Sequence, residues 1–477
     1  MKKVILINTL FLLFAAIVLP GVANATSLLE IYQQALQSDP RIHEAEARRL
    51  ASLEAKPQAR GVLLPQIGFS GDWTRINLDG TSNDTLGGVA LPATEFETVD
   101  ETTRWQFNLR QTLFRWDQIV NLRRADKTVA KAEADREAAQ QDLIVRVTRT
   151  YFDILAAEDQ LTAIHANRNA ISRQLEQAKQ RFDVGLIAIT DVQESQAAHD
   201  SAVADEIGAK RRLATAREFM REITGEYVSK LSAPGEDLPL NTPDPASERG
   251  WIDLALSQNL ALVSSRIDEQ LARDEISFRR NGHYPTIDLV AGAGNVSGDS
   301  TTDIVGVAQP QIAENDRSND TIGIQFSIPI FAGGATSSRV REAVYLHRAS
   351  RENLQRVSRE TERQTRDSYL GVLAEISRVQ ALEKAVESSE TALEATQAGF
   401  DVGTRTIVDV LDAQFLLYQS ITRYYQSRYD YVLNAMRLRQ AAGSLQVQDL
   451  EALDQYLVDR KSPEEQFADE AREAASE

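Results

Sequence analysis

The stretch GTRTIVDVLDA, residues 403–413, echoes GLIAITDVQES, residues 185–195, at a distance of 218 positions. The same lead-in precedes both, Phe182-Asp183-Val184 in one case and Phe400-Asp401-Val402 in the other. Each phrase follows a long segment rich in Ala, Gln, Glu and Arg with no internal proline, one over about 117–180 and one over about 338–397. Such segments read as helices, and about 60 residues rising 1.5 Å each make a helix on the order of 90 Å long. Ordinary globular helices are far shorter. Gly185 and Gly403 permit the positive φ that closes one helix before the next begins. Each phrase is therefore the tip of a helical hairpin, and the chain carries two.

The echo extends outward from the tips. Leu63-Leu64-Pro65-Gln66 answers to His283-Tyr284-Pro285-Thr286, Thr112-Leu113-Phe114 to Pro329-Ile330-Phe331, and Tyr151 to Tyr369, with an offset that stays between 217 and 220. Two homologous halves follow, 26–230 and 251–445, joined by a linker over 231–250 that holds Pro234, Pro239, Pro243 and Pro245. Residues 446–477 close the chain, and their charged, Ala-rich end from Lys461 onward reads as disordered. Apolar residues of the helical segments fall in narrow stripes, as in Leu143, Val147, Ile154, Leu161 and Ile164. A narrow stripe gives thin seams against neighbours and leaves the other faces to water. A plain long coiled coil fits that pattern equally well.

Each half also holds a pair of period-two segments, expected as strands over about 66–77 and 102–113, then 286–296 and 321–331. Ile67, Phe69, Gly71 and Trp73 alternate with Gln66, Ser70, Asp72 and Thr74, and the other three follow suit. Their length of about ten residues suits a tilted membrane-spanning strand. Polar loops are expected between the members of each pair, over 78–101 and 297–320. A soluble sandwich would need a third apolar layer, and the rest of the chain reads as helix and linker. In lipid, four strands cannot close, and an open edge leaves unpaired backbone groups in hydrocarbon. The chain must pool strands with copies of itself, and two, three or four copies all satisfy that demand.

Residues 1–25 read as a secretory signal: Lys2 and Lys3, an apolar run over 4–19, then Pro20-Gly21 and the small-residue site Ala23-Asn24-Ala25. The apolar run is short for a membrane anchor. The absence of cysteine excludes disulfides, thiolate metal sites and a lipoprotein acylation site. A formal net charge of -18 argues against nucleic acid and favours cations, although it serves solubility as well. The five histidines, His43, His165, His199, His283 and His347, show no metal-ligand spacing, and no nucleophile elbow or phosphate loop is present. No enzyme, metal or cofactor is expected.

The two tip phrases with their Phe-Asp-Val-Gly lead-ins, together with Leu63-Leu64-Pro65-Gln66, Ser327-Ile328-Pro329-Ile330 and Asn281-Gly282-His283 before Pro285, carry a resemblance. The chain resembles the TolC family of outer-membrane efflux and type I secretion channels over nearly its whole mature length. The resemblance implies an α+β membrane protein and a homotrimer. Its twelve-stranded outer-membrane β-barrel, four strands per chain, would continue into a periplasmic α-helical barrel with a mixed α/β equatorial belt, to which the end of the chain contributes. It implies a passive exit duct in the outer membrane of a Gram-negative bacterium, extending into the periplasm. The duct would be opened by docking to a periplasmic adaptor, a membrane fusion protein, and an inner-membrane transporter of RND, ABC or MFS type. A non-conducting scaffold or adhesin spanning the periplasm is the alternative, less suited to narrow apolar stripes.

Residue by residue, the resemblance places Val184, Gly185, Leu186, Val402, Gly403 and Thr404 against the adaptor. Asp409 and Asp412, three apart, share a helix face. From spacing alone a solvated face is the plainer reading; the resemblance makes them cation-selective rings at the pore constriction. The first copy keeps the spacing in Asp191 and Glu194 but has Ile187 where the second has Arg405. Arg405 is expected to bond Thr190 and Asp191 of a neighbouring hairpin as a gate latch, with Phe400 and Gln174 in the same constellation. Two departures weaken that latch: Phe400 lacks the hydroxyl of the family's tyrosine, and the polar pair that maps to Gln174 and Gln397 carries no charge here, where one family partner is a glutamate.

Overall fold

The computed structural model describes residues 25–476 apart from 84, 87, 91, 92, 229 and 236. The leader expected over 1–25 thus lies outside the described residues, save Ala25. In chain order, α1 (Leu28–Ser38), α2 (Pro40–Leu53) and α3 (Ala55–Gly61) lead to strand β1 (Gln66–Ser82), the two-residue strands β2 (Thr85–Leu86) and β3 (Val89–Ala90), and β4 (Thr94–Phe114). Helices α4 (Trp116–Asp183) and α5 (Ile189–Thr224) follow. Next come β5 (Ala233–Pro234), α6 (Glu248–Gln258), α7 (Leu260–Arg280), β6 (Thr286–Ile304) and β7 (Gln311–Ser327). The chain ends with α8 (Ala335–Asp401), α9 (Ile407–Ala442), α10 (Val447–Asp454), β8 (Leu457–Val458) and α11 (Pro463–Ser476).

Packing divides the chain into two compact units that cut across the two sequence halves. One unit takes residues up to Ala47, Ala134–Val263 and everything from Arg356; the other takes Arg48–Glu133 and Ser264–Gln355.

The second unit is built on a four-stranded antiparallel sheet in the order β1-β4-β6-β7. Its register sets Phe69 opposite Phe107, Leu109 opposite Ala291, and Ala291 opposite Ile322, so the period-two residues of all four strands share one face. Phe69 and Phe107 sit with ring centroids 4.8 Å apart. That face is open: Ile67, Phe69, Trp73, Trp105, Phe107, Ile322, Ile324 and Phe326 are all exposed. Each would gain about 1.5–3 kcal/mol on leaving water. Among the described residues, β1 and β7 each have one edge without a strand partner. No helix among the described residues is long and apolar enough to cross a membrane.

Two expectations about the sheet need correction. The polar stretches over 78–101 and 297–320 are largely strand: β1 runs to Ser82, β4 starts at Thr94, β6 runs to Ile304 and β7 starts at Gln311. The apolar alternation fades there while the backbone ladder continues. Cross-strand polar pairs hold it, with Arg75–Glu101 at 3.2 Å, Thr98–Thr302 at 3.0 Å and Asn295–Asp316 at 2.7 Å. At the other end, the strand expected to reach 331 stops at Ser327, two residues before Pro329, which has no N–H for a ladder.

The first unit holds the core. The stripe of α4 is buried as its spacing requires, with Leu143, Val147, Ile154 and Leu161 at 0–3% exposure, and Tyr151 beside them at 0%. Tyr151 packs edge-on against Phe152, which stacks on Tyr429 of α9 at 5.2 Å. The linker over 231–250 is anchored rather than loose. β5 pairs with β8, the backbone N–H of Asn241 donates to the Tyr431 hydroxyl at 2.9 Å, and Trp251 Nε1 donates to the Pro245 carbonyl at 2.9 Å.

The tail is also corrected. Residues from Lys461, expected as disordered, form α11, with Pro463 at its first position where a missing N–H costs nothing. Arg217 of α5 binds Glu464 at 2.8 Å and Glu158 of α4 at 3.1 Å. Phe467 stacks on His165 with centroids 3.7 Å apart. Composition alone misjudged the segment because its partners lie some 250 to 300 residues away in sequence.

Candidate functional site

The tips of the two hairpins lie in the first unit. The helices entering them have 68 and 67 residues, and the helices leaving them have 36 each. Gly185 takes φ 77° and Gly403 takes φ 78°, the left-handed region in which a side chain is strained. Each tip is closed by backbone bonds of the same pattern: Gly185 N–H to the Phe182 carbonyl at 2.8 Å and Gly403 N–H to the Phe400 carbonyl at 3.0 Å. Apolar side chains project from both turns, with Val184 at 70%, Leu186 at 72% and Val402 at 75% exposure. Exposed apolar residues on a rigid turn are suited to a protein partner.

Beyond the turns the two tips differ. At the first, Ile187 packs on Leu175, Ala178 and Val192, a small core of its own. At the second, the matching position is Arg405, whose backbone N–H binds the Gly399 carbonyl at 3.2 Å. Its stem crosses Gly399 so closely that a Cβ there would lie 2.8 Å from Arg405 Cγ. Helix α9 then opens with a capping box. Asp409 N–H donates to Thr406 Oγ1 at 3.2 Å, and Asp409 Oδ2 accepts from Thr406 N–H at 2.8 Å. The first copy has Ala188 at the cap and no such bond.

This local role for Asp409 was missed from sequence, although Thr406-x-x-Asp409 spells it. The backbone and hydroxyl hydrogen bonds of Thr406 hold the Asp409 carboxyl below the usual aspartate range, and the charge of Arg405 acts in the same direction. Asp412, one turn on, is exposed and makes no hydrogen bond or ion pair among the described residues. Of the remaining expected residues, Thr190 is exposed and Asp191 half-buried in the first turn of α5. Gln174 Oε1 is buried without a hydrogen-bond partner among the described residues. Arg405 makes no hydrogen bond or ion pair to Thr190 or Asp191 within this one chain.

What joins the two tips inside the chain is a residue the sequence reading did not single out. Arg181, in the last turn of α4, sets its guanidinium 4.8 Å from the centre of the Phe400 ring and 3.5 Å from Asp401.

Paired hairpins with glycine tips, and an apolar-faced sheet whose outer edges lack strand partners among the described residues, suit an outer-membrane channel. The model of the family described as outer membrane efflux protein matches residues 31–226 and 251–444, and this chain belongs to that family. It is 37% identical to the outer membrane protein TolC of Vibrio cholerae over 453 residues, 94% of this chain and 97% of that one. It is 29% identical to the alkaline protease secretion protein AprF of Pseudomonas aeruginosa over 445 residues, 92% and 89% of the two chains. The crystal structure of the outer membrane protein VceC from Vibrio cholerae shares the fold, with a TM-score of 0.67 at 17% identity over 87% of this chain and 96% of that one. The protein is accordingly placed in the outer membrane.

Proposed function

We propose that three copies of this chain form a passive exit duct for efflux and type I secretion. Each copy contributes its four strands to one twelve-stranded barrel and its two hairpins to a periplasmic helical barrel. The observation that carries this reading is the sheet: its apolar face is exposed and its edges at β1 and β7 are unpaired within the chain. Lipid tolerates neither an open edge nor an unclosed sheet. The closely matched lengths and glycine φ values of the two hairpins support an internal duplication that gives a near-sixfold end from three chains.

In this assembly Val184, Gly185, Leu186, Val402, Gly403 and Thr404 face a periplasmic adaptor, which brings an inner-membrane transporter of RND, ABC or MFS type. Asp409 and Asp412 form carboxylate rings at the narrow end, drawing cations. Arg405 reaches Thr190 and Asp191 of the adjacent protomer, with Phe400 and Gln174 nearby, and holds the end closed. Energy for export comes from the transporter.

Single-channel recording of the purified protein in a planar bilayer tests the reading. The wild type is expected to give a small cation-selective conductance, larger in Arg405→Ser. Asp412→Asn is the cleaner probe of the rings, because Asp409 also caps α9 and its loss would fray the tip. Cation selectivity unchanged in Asp412→Asn would remove Asp412 from the pore. No conductance from inserted protein in any variant would leave the scaffold reading.

A further inference from the structure

The two tips exchange an arginine. Position 181 in the first copy corresponds to 399 in the second, and 187 to 405, at the same 218-residue offset. The first copy has Arg181 and Ile187; the second has Gly399 and Arg405. Each tip therefore carries one arginine from this pair of positions, on its entering helix in one case and past its turn in the other. The exchange is enforced sterically at the second tip, because the stem of Arg405 occupies the space that a side chain at 399 would need.

The partner of Arg181 lies on the other hairpin. Its guanidinium sits over the Phe400 ring at 4.8 Å, inside the range of about 6 Å at which the ring quadrupole attracts a cation. Its contact with Asp401, 3.5 Å between Nη2 and Oδ1, leaves the carboxylate half exposed, and such pairs contribute little. The ring contact is the second tie to the same turn of α8. It uses the face of Phe400 and needs no phenolic hydroxyl. The main chain of Arg181 is fixed as well, since its carbonyl accepts from Leu186 N–H across the first turn at 2.9 Å. A rigid turn on one hairpin therefore holds a cation against the last turn of α8 on the other.

We propose that Arg181 is a positioning residue for the entrance of the duct. It clasps the α8–α9 hairpin to the α4–α5 hairpin within one protomer through the face of Phe400. The hydroxyl missing at Phe400 is then no defect of the closed state, because a cation–ring contact supplies the tie. The second hairpin cannot swing away from the first without parting Arg181 from Phe400. The inference rests on the gated-duct reading above.

The test is single-channel recording of full-length mature protein carrying Arg181→Ala, Arg181→Lys, Phe400→Leu or Phe400→Tyr, with Arg405→Ser as the opened reference. Helical circular dichroism checks that each variant is folded. Arg181→Ala and Phe400→Leu are expected to raise the open population by roughly two- to fivefold, the factor one partly exposed cation–ring contact supplies. The double variant should rise no further than either single one. Arg181→Lys retains a cation and Phe400→Tyr retains a ring, so neither should open the duct as Arg181→Ala does. Wild-type behaviour of Arg181→Ala beside an opened Arg405→Ser would overturn the clasp and leave the duct intact. Silence of every variant, Arg405→Ser included, would overturn the duct and the clasp together.

Discussion

A carboxylate can serve two masters, and Asp409 does. Its oxygen closes the capping box of α9 while its charge stands beside Arg405 at the tip. Because its carboxyl is held below the ordinary aspartate value in the fold, it contributes stability that is present above the unfolded value. That stability is lost as pH falls through the lower folded value. With Asp409 in the pore as proposed, its protonation on acidification below the ordinary aspartate range near 4 should weaken cation selectivity and loosen the start of α9 together. Reversal potentials across a salt gradient, measured at stepped pH, check this. A loss of selectivity centred near pH 6 would contradict it. The box was legible in Thr406-x-x-Asp409, whereas the burial of the unpaired Gln174 Oε1 was not, since no local pattern says what a glutamine faces.

At the scale of elements, α11 shows how a polar segment becomes ordered by partners. Around His165 of α4, Glu206 of α5 lies 3.2 Å away, Arg168 reaches the same carboxylate, and Lys210 pairs with it at 2.8 Å. Burial pushes the Glu206 carboxyl up, but the hydrogen bonds of Lys210 and His165 and the charge of Arg168 hold it below the usual glutamate range. Phe467 covers His165, and Glu470 approaches the ring from the α11 side at 3.5 Å. Truncation after Ser462 removes Phe467 and the Arg217 partner Glu464, and should cost about 1–3 kcal/mol of stability in this region. Limited proteolysis of α5 and thermal unfolding would register the loss. An unchanged melting temperature would show that α11 adds nothing. Periodicity foresaw the long helices because they repeat one local pattern for many turns; it could not foresee α11, whose order depends on residues far along the chain.

At the scale of the whole molecule, the decisive property is which face of the sheet meets lipid. Ile324 lies on the apolar face opposite Leu289, and Gln325 on the other face opposite Asp288. Ile324→Lys should cost on the order of 2–4 kcal/mol in the membrane, whereas Gln325→Lys should be tolerated. Yields of folded, membrane-inserted protein compare the two. Equal yields would mean that the face assignment, and the pooled barrel built on it, is wrong.

The sequence by itself determined the two hairpins, their glycine tips and the alternating strands. Each of these rests on short-range geometry: a helical or two-residue period, or a positive φ. Tertiary structure decided the rest. It carried the strands beyond the apolar stretch, because a hydrogen-bonded ladder continues where side-chain polarity no longer reports it. It packed the chain into two units that mix both halves. It also brought Arg181 onto Phe400, 219 residues away in sequence, a contact set by the packing of two hairpins and written in neither one alone.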